Sequence, residues 1–290
     1  MGTRAAADGR LSLGYLSLVV PLVAIHAACV LIFFVGYSGA ALAAFAGTLL
    51  AQLIGVSIGY HRLLAHRSFA TSRPVQFIFA LLGTLAGQNG PLWWVGHHLH
   101  HHKHADRHGD VHSPRTGVFW SHMGWLFSSR MHPVREDLVS PWARLPEMRL
   151  LQRYSYVPIF GHALVMYLIG ELWRMHDPSV GVTGSQLLIW GSVLSTVCQY
   201  HLVFCIGSVC HLYGTRSFRT ADDSRNNFII GLLAFGEGWH NNHHYCPYSA
   251  RLGFRWWEID FGYMILRLLA WFGIVWDVKL PLHLRKAPVR

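Results

Sequence analysis

The chain has 290 residues, of which 52% are hydrophobic and 13% charged, and a formal net charge of +10; soluble domains carry about 25% charged residues. A mean hydropathy of +0.29 and 12 tryptophans point to a bilayer rather than water. The basic residues form neither runs nor a stripe, which argues against nucleic acid as a partner, and five cysteines without a CxxC pair fit neither a disulfide framework nor a zinc ribbon.

From Leu11 to Tyr60 no side chain is charged, enough for two spans of about 20 residues each, with a break near Val35 to Ala40. No cleavable signal peptide is expected, because the first apolar stretch runs into the second. Val157 to Trp173 and Leu187 to Gly207 read as a third and a fourth span. The shorter stretches from Val75 and from Phe261 read as interfacial or bundle-packed helices. Lys and Arg number 2 before Leu11, 11 from His61 to Tyr156, 1 from Arg174 to Val182 and 10 after His211. Four spans therefore put both termini and both long segments on the basic, cytosolic side. The expectation is an all-α, multi-pass membrane protein, residues 1–290 forming one domain of about four transmembrane helices under a cytosolic helical cap.

The histidines fall in that cap. "HRLLAH" supplies His61 and His66, "WWVGHHLHHHKHAD" packs six histidines into residues 93–106, "HNNHH" supplies His240, His243 and His244, and His211 follows the fourth span. In H-x-x-H-H, positions i, i+3 and i+4 share one helix face and can aim several ring nitrogens at one point. His97, His100 and His101 spell that pattern, and so do His98, His101 and His102. His61 and His66 are five apart, about 140° around a regular helix, and share a face only if the helix unwinds. His26, His162 and His201, inside spans, are expected to make interhelical hydrogen bonds. Three clusters on one side of a membrane point to a metal site. All-imidazole ligation suits iron, copper, nickel or zinc. A metal transporter is the alternative outside enzymes, but transporters place their sites at the bilayer midplane, and Glu171 is the only acidic residue in any expected span.

The ordered set "HRLLAHRSF", "WWVGHHLHHHKHADRHGDVHSP", "SVCHLYGTRSF" and "GEGWHNNHHYCPYSARLGFRWWEID" resembles the membrane fatty-acyl desaturases of the stearoyl-CoA (delta-9) type, in particular bacterial members, over about Gly59 to Asp260. The resemblance implies a diiron, non-haem site in the cap, and insertion of a cis double bond into a saturated acyl chain with O2 and two electrons. By the Lys103 and Asp110-x-His112 that follow the middle box, it selects the second register. One iron would then take His61, His66, His98, His102 and His243; the other would take His101, His211, His240 and His244. Asp106, Asp110 and Glu237 are candidate acceptors for ligand N–H groups. Asn89 and Arg130 match headgroup-contacting positions, and Trp93, Trp94 and Trp125 are candidate lining for an apolar acyl tunnel.

No His-Pro-Gly-Gly haem motif appears, so electrons are expected from a separate donor protein. Gly207 stands where acyl-CoA members carry an Asn that holds a water on the second iron. Gly96-His97 replaces their CoA-contacting Arg-Asp pair. The acyl carrier is thus open among CoA, carrier protein and intact lipid. A related diiron hydroxylase or alkane monooxygenase is the alternative within enzymes, against which the "GEGWHNNHHYCPYSAR" setting weighs. Bacterial likeness implies the inner membrane, with the bilayer, the acyl substrate, O2 and the electron donor as partners.

Overall fold

The computed structural model describes residues 13–128 and 134–281, with the side chains of the first helix from residue 19 onward. Helix α1 (Leu13–Ala28) passes through one 3₁₀ turn into α2 (Ile32–Val35). The chain then breaks at Gly36, whose φ of +65° costs a glycine nothing, and restarts where the Ser38 hydroxyl accepts the Ala41 N–H. This is the break expected between the first two spans.

Helix α3 (Gly39–Leu53) runs directly into a π-helical stretch, Ile54–Ala65. Among the described residues, Gly39–Ala65, Tyr156–His176 and Gly184–Leu212 are long and apolar enough to cross a membrane, and Val19–Val35 is a shorter apolar helix. Tyr156–His176 (α9) buries 6% of its most apolar window. An apolar helix left this bare belongs in lipid, where its outward side chains meet acyl chains and its backbone bonds are internal. The Gly184–Leu212 run joins α10 (Gly184–Leu188), a second π-helical stretch (Ile189–Leu194), α11 (Ser195–Gly207) and α12 (Val209–Leu212). His162 ties these spans together, its ring nitrogens lying 3.2 Å from Thr48 Oγ1 and 2.9 Å from Ser192 Oγ. His201 pairs instead with His122, at 2.9 Å, and His26 Nδ1 with the carbonyl of Leu22 in its own helix.

The cap is built on the π-helical segment. Helix α4 (Arg73–Leu85) packs against it so closely that a Cβ on Gly55 would lie 2.2 Å from the Leu82 carbonyl carbon, the small-residue contact that lets helix backbones touch. Helix α5 (Pro91–His104) packs on the same segment and on α7 (Glu136–Ala143) and α8 (Pro146–Arg153), with the short α6 (Val118–His122) between. Ile58, Leu63, Phe79, Val95, Val139, Met148 and Leu266 form the core they share. Helices α13 (Phe228–Leu233), α14 (His240–Tyr245) and α15 (Phe261–Trp271) complete it. A two-residue antiparallel pairing of Ala70–Thr71 with Val275–Trp276 returns the chain to the loop after His66.

Candidate metal centre and substrate cavity

The π-helical winding brings the first two histidines together. Its hydrogen bonds run i→i+5, and the His66 N–H donates to the His61 carbonyl at 3.1 Å. A residue five along then lies much nearer its predecessor's face than the roughly 140° of a regular helix. His98 and His102 come from one face of α5, and His243 arrives from α14. The donor atoms of His61, His66, His98, His102 and His243 all lie within 4.8 Å of one another, as do those of His101, His211, His240 and His244. The structure thus gathers the nine histidines into the two groups that the resemblance implied.

The other histidines of the middle box are held elsewhere. His97 Nδ1 donates to the Trp93 carbonyl at 2.8 Å. His100 donates to the Gly109 carbonyl at 3.0 Å and lies 2.9 Å from Arg135 Nη1, and His104 packs against its ring.

Within the groups the Nε2 atoms of His61 and His243, His243 and His102, His102 and His98, and His98 and His66 approach to 3.0, 2.9, 3.1 and 2.8 Å. In the second group His240 Nε2 is 3.0 Å from both His211 and His244. A ring nitrogen has one in-plane orbital, holding a proton or a lone pair, so it cannot serve two such neighbours at once. Two donors each about 2.1 Å from a shared ion and at right angles are about 3 Å apart. The spacing therefore fits rings that converge on a cation.

Carboxylates fix the lone pairs inward. His61 Nδ1 lies 2.6 Å from Glu237, His211 Nδ1 2.7 Å from Asp106, His101 Nδ1 3.1 Å from Asp110 and His244 Nδ1 2.9 Å from Asp222. The rings of His101, His211 and His244 give their Nδ1 protons outward in these hydrogen bonds and leave Nε2 as acceptor. His101 Nε2 is buried with no hydrogen-bond partner among the described residues. Burial and the crowding of neighbouring rings hold His66, His98, His102, His240 and His243 well below the ordinary imidazole range. His244 is lowered to about 4 by burial, against the pull of Asp222. For Asp106, Asp110, Asp222 and Glu237, burial pushes the pKa up, but the hydrogen bonds each carboxylate accepts, and for Glu237 the Arg62 guanidinium, outweigh it and each is lowered. Neutral rings beside ionised carboxylates are the state a divalent metal needs.

Asp106 sits at φ +56°, an uncommon conformation that Asp tolerates better than most residues. It turns one oxygen to both His211 and the Asp223 N–H.

The sequence reading missed several supporting residues. Asp222 sits in "TADDSRNN" with nothing to set it apart from a solvated loop acid. Arg62 is 1% exposed and donates to Glu237 at 2.7 Å and to Asp260 at 3.0 Å, partners that nothing in "HRLLAH" announces. His112 stacks on His101 with ring centroids 4.3 Å apart, and a Cβ added to Gly207 would sit 3.4 Å from its Nδ1.

A cavity of about 600 Å³ runs from between the spans to both histidine groups. Leu22, Ile25 and Ala163 belong to its membrane part; His61, His98, His101 and His240 belong to its cap end. Asn89, Trp93, Trp94 and Trp125 all line it; Arg130 lies outside the described residues. Its predominantly apolar wall suits a hydrocarbon chain.

Fold and site thus define a membrane-embedded helical protein with two buried histidine groups at the end of an apolar cavity. The fatty acid desaturase family profile matches residues 38–276, and the chain belongs to that family. It is 37% identical over 233 residues to an sn-1 stearoyl-lipid 9-desaturase of Anabaena variabilis, covering 78% of this chain and 79% of that protein. It is 36% identical over 231 residues to a probable chloroplastic lipid desaturase of Arabidopsis thaliana, covering 79% of this chain but 60% of the relative. An acyl-CoA 5-desaturase of Anemone leveillei is 34% identical over 237 residues, with 81% and 70% covered. Desaturases are oxidoreductases, so membership sets the transporter alternative aside.

Proposed function

We propose that this chain is a delta-9 desaturase of lipid-linked saturated acyl chains, with two non-haem irons held by the nine histidines. The observation that carries the reading is the apolar cavity that ends against rings of both histidine groups. The choice of position and carrier follows the Anabaena stearoyl-lipid relative, which this chain covers to 79% of its length. The cap, both termini and the site face the cytosol of a bacterial inner membrane.

Bound iron supplies the O2-dependent oxidising power that no side chain has. Overall, –CH2–CH2– + O2 + 2 e⁻ + 2 H⁺ gives –CH=CH– + 2 H2O, the electrons coming from a separate carrier protein. The chain's own residues hold the acyl segment and fix its bend. Trp93 and Trp125, stacked with centroids 6.2 Å apart at 11°, make a flat wall beside His101 and His112. Asp106, Asp110 and Asp222 keep the Nδ1 protons of His211, His101 and His244 outward, and Glu237 sets a negative charge against His61 Nδ1. The cavity's apolar walls exclude bulk water from the reacting methylenes.

The test is the fatty-acid profile of a host lacking desaturases, expressing the wild type or His244→Ala. The expected result is a new cis-delta-9 monounsaturated acid, found in glycerolipid during a short pulse and only with wild type. Label appearing first in acyl-CoA or carrier thioester would reassign the carrier, and hydroxylated acids would reassign the chain to the monooxygenases. Saturated lipids alone, from a metal-loaded chain supplied with reductant, would refute the reading.

A further inference from the structure

A loop from Tyr213 to Asn227 covers α14, the helix that brings His240, His243 and His244 to the site, and it is locked onto that helix. Asn241 Oδ1 accepts the Phe218 N–H at 2.8 Å, and Asn241 Nδ2 donates to the Phe218 carbonyl at 3.1 Å. The Phe218 ring stacks on Tyr245 with centroids 4.1 Å apart and planes 7° from parallel. Tyr245 follows His244 directly in sequence and is 51% exposed. Asp222, from the same loop, bonds His244 Nδ1, and its backbone carbonyl accepts from Arg216 Nη2 at 2.7 Å. On this side the loop reaches the second histidine group through the Asp222 carboxylate, and the Phe218–Tyr245 stack lies one residue along α14 from His244.

The charge above this point is basic. Arg216 and Arg219 are exposed. Arg216 bonds only carbonyl and hydroxyl oxygens, and among the described residues neither arginine has an ion-pair partner. The nearby acids are engaged, Asp222 with His244 and Asp223 with Arg115. Arg216 and Arg219 thus flank Phe218 in sequence, whose ring stacks on the exposed Tyr245, the residue after His244.

We propose that the 213–227 loop is the docking surface for an acidic one-electron carrier protein, and that electrons enter at Tyr245 and His244. The inference rests on the reading that His244 holds one of the metals. Each turnover takes two electrons, delivered as two one-electron oxidations of the carrier. Opposite charge steers the encounter, and the aromatic pair shortens the gap between the carrier's redox centre and the ligand ring.

The probe is an acidic [2Fe–2S] ferredoxin, reduced and mixed anaerobically with the full-length, iron-loaded, oxidised enzyme while its reoxidation is followed. Arg219→Glu is expected to lower the second-order rate roughly fivefold to tenfold at low salt, as expected for a steering charge. The difference should vanish near ~0.5 M salt, where exposed charges are screened. Iron content and direct reduction by dithionite should not change. Tyr245→Leu should slow transfer at saturating ferredoxin without altering the salt dependence. Arg149→Glu, the same charge change at an exposed position of α8, should leave the rate within twofold. Equal losses for Arg219→Glu and Arg149→Glu would show that only net charge matters and overturn the proposal, as would an unchanged Arg219→Glu rate. A wild-type chain that takes up no iron would instead overturn the metal reading and this inference with it.

Discussion

Replacing Asp222 by Asn tests whether the carboxylates behind the rings govern metal binding. Asp222 Oδ2 lies 2.9 Å from His244 Nδ1, while Oδ1 takes the Thr220 hydroxyl and the Ser224 N–H, each at 3.0 Å. Asn keeps the shape and can still serve the loop through its carbonyl oxygen, but its NH2 then faces an N–H. Either His244 moves its proton to Nε2 and loses its lone pair toward the metal, or the amide turns over and the loop bonds break. Partners of this kind are worth 10–100-fold in metal affinity, or about 1.4–2.7 kcal/mol. The cost should fall on one metal of two, because His244 belongs to the second group only. The assay is iron retained per chain during titration with a competing chelator. Wild type should lose its two irons over a shared or narrow range, and Asp222→Asn should lose one of them at 10–100-fold lower chelator. His100→Ala, outside both groups, should track wild type. Unchanged retention in Asp222→Asn, or equal weakening of both metals, would refute the reasoning.

Arg62→Met should be among the most damaging changes away from the ligands, since it leaves Glu237 and Asp260 buried without their cation; breaking a buried pair this way costs about 3–5 kcal/mol, read as a large drop in melting temperature of the detergent-solubilised chain. Metal-free protein should lose stability as pH falls below the ordinary imidazole value of about 6.5. The unfolded rings protonate there while His244 stays neutral to about 4 and His112 to about 3, so the unfolded state binds more protons and stability declines through that window. Bound metal should move the loss to lower pH in a melting series, and identical curves with and without metal would count against the ligand assignment. Ala163→Trp, filling the membrane part of the cavity, should keep both irons but shift the product toward shorter chains in the fatty-acid profile; an unchanged profile would place the acyl chain elsewhere.

What the sequence made legible was whatever repeats locally. Uncharged runs located the helices, and H-x-x-H-H spacing placed three ring nitrogens on one face of α5 and of α14. Composition could not show that His61 and His66 meet, because their spacing contradicts regular helix geometry and is reconciled only by i→i+5 winding. The likeness of four ordered motifs carried the register of the middle box and the division into two groups. Against that division stand His97 and His100, equally good by composition, which the fold spends on Trp93, Gly109 and Arg135. Asp106 and Asp110 were found because they sit beside a box, and Glu237 because it precedes one. Asp222 was not, since its partner His244 lies 22 residues away and its loop is brought back by contacts distant in sequence, Phe218 with Asn241, Asn226 with Asn242 and Asp223 with Asp106. Arg62 illustrates the same limit: a charge at a helix end is usually solvated, and its burial is settled by Glu237 and Asp260, 175 and 198 residues further along. The converging ring nitrogens are thus written in short motifs, while the groups that hold their protons and charges in place depend on contacts that close only when the cap folds over the ends of the spans.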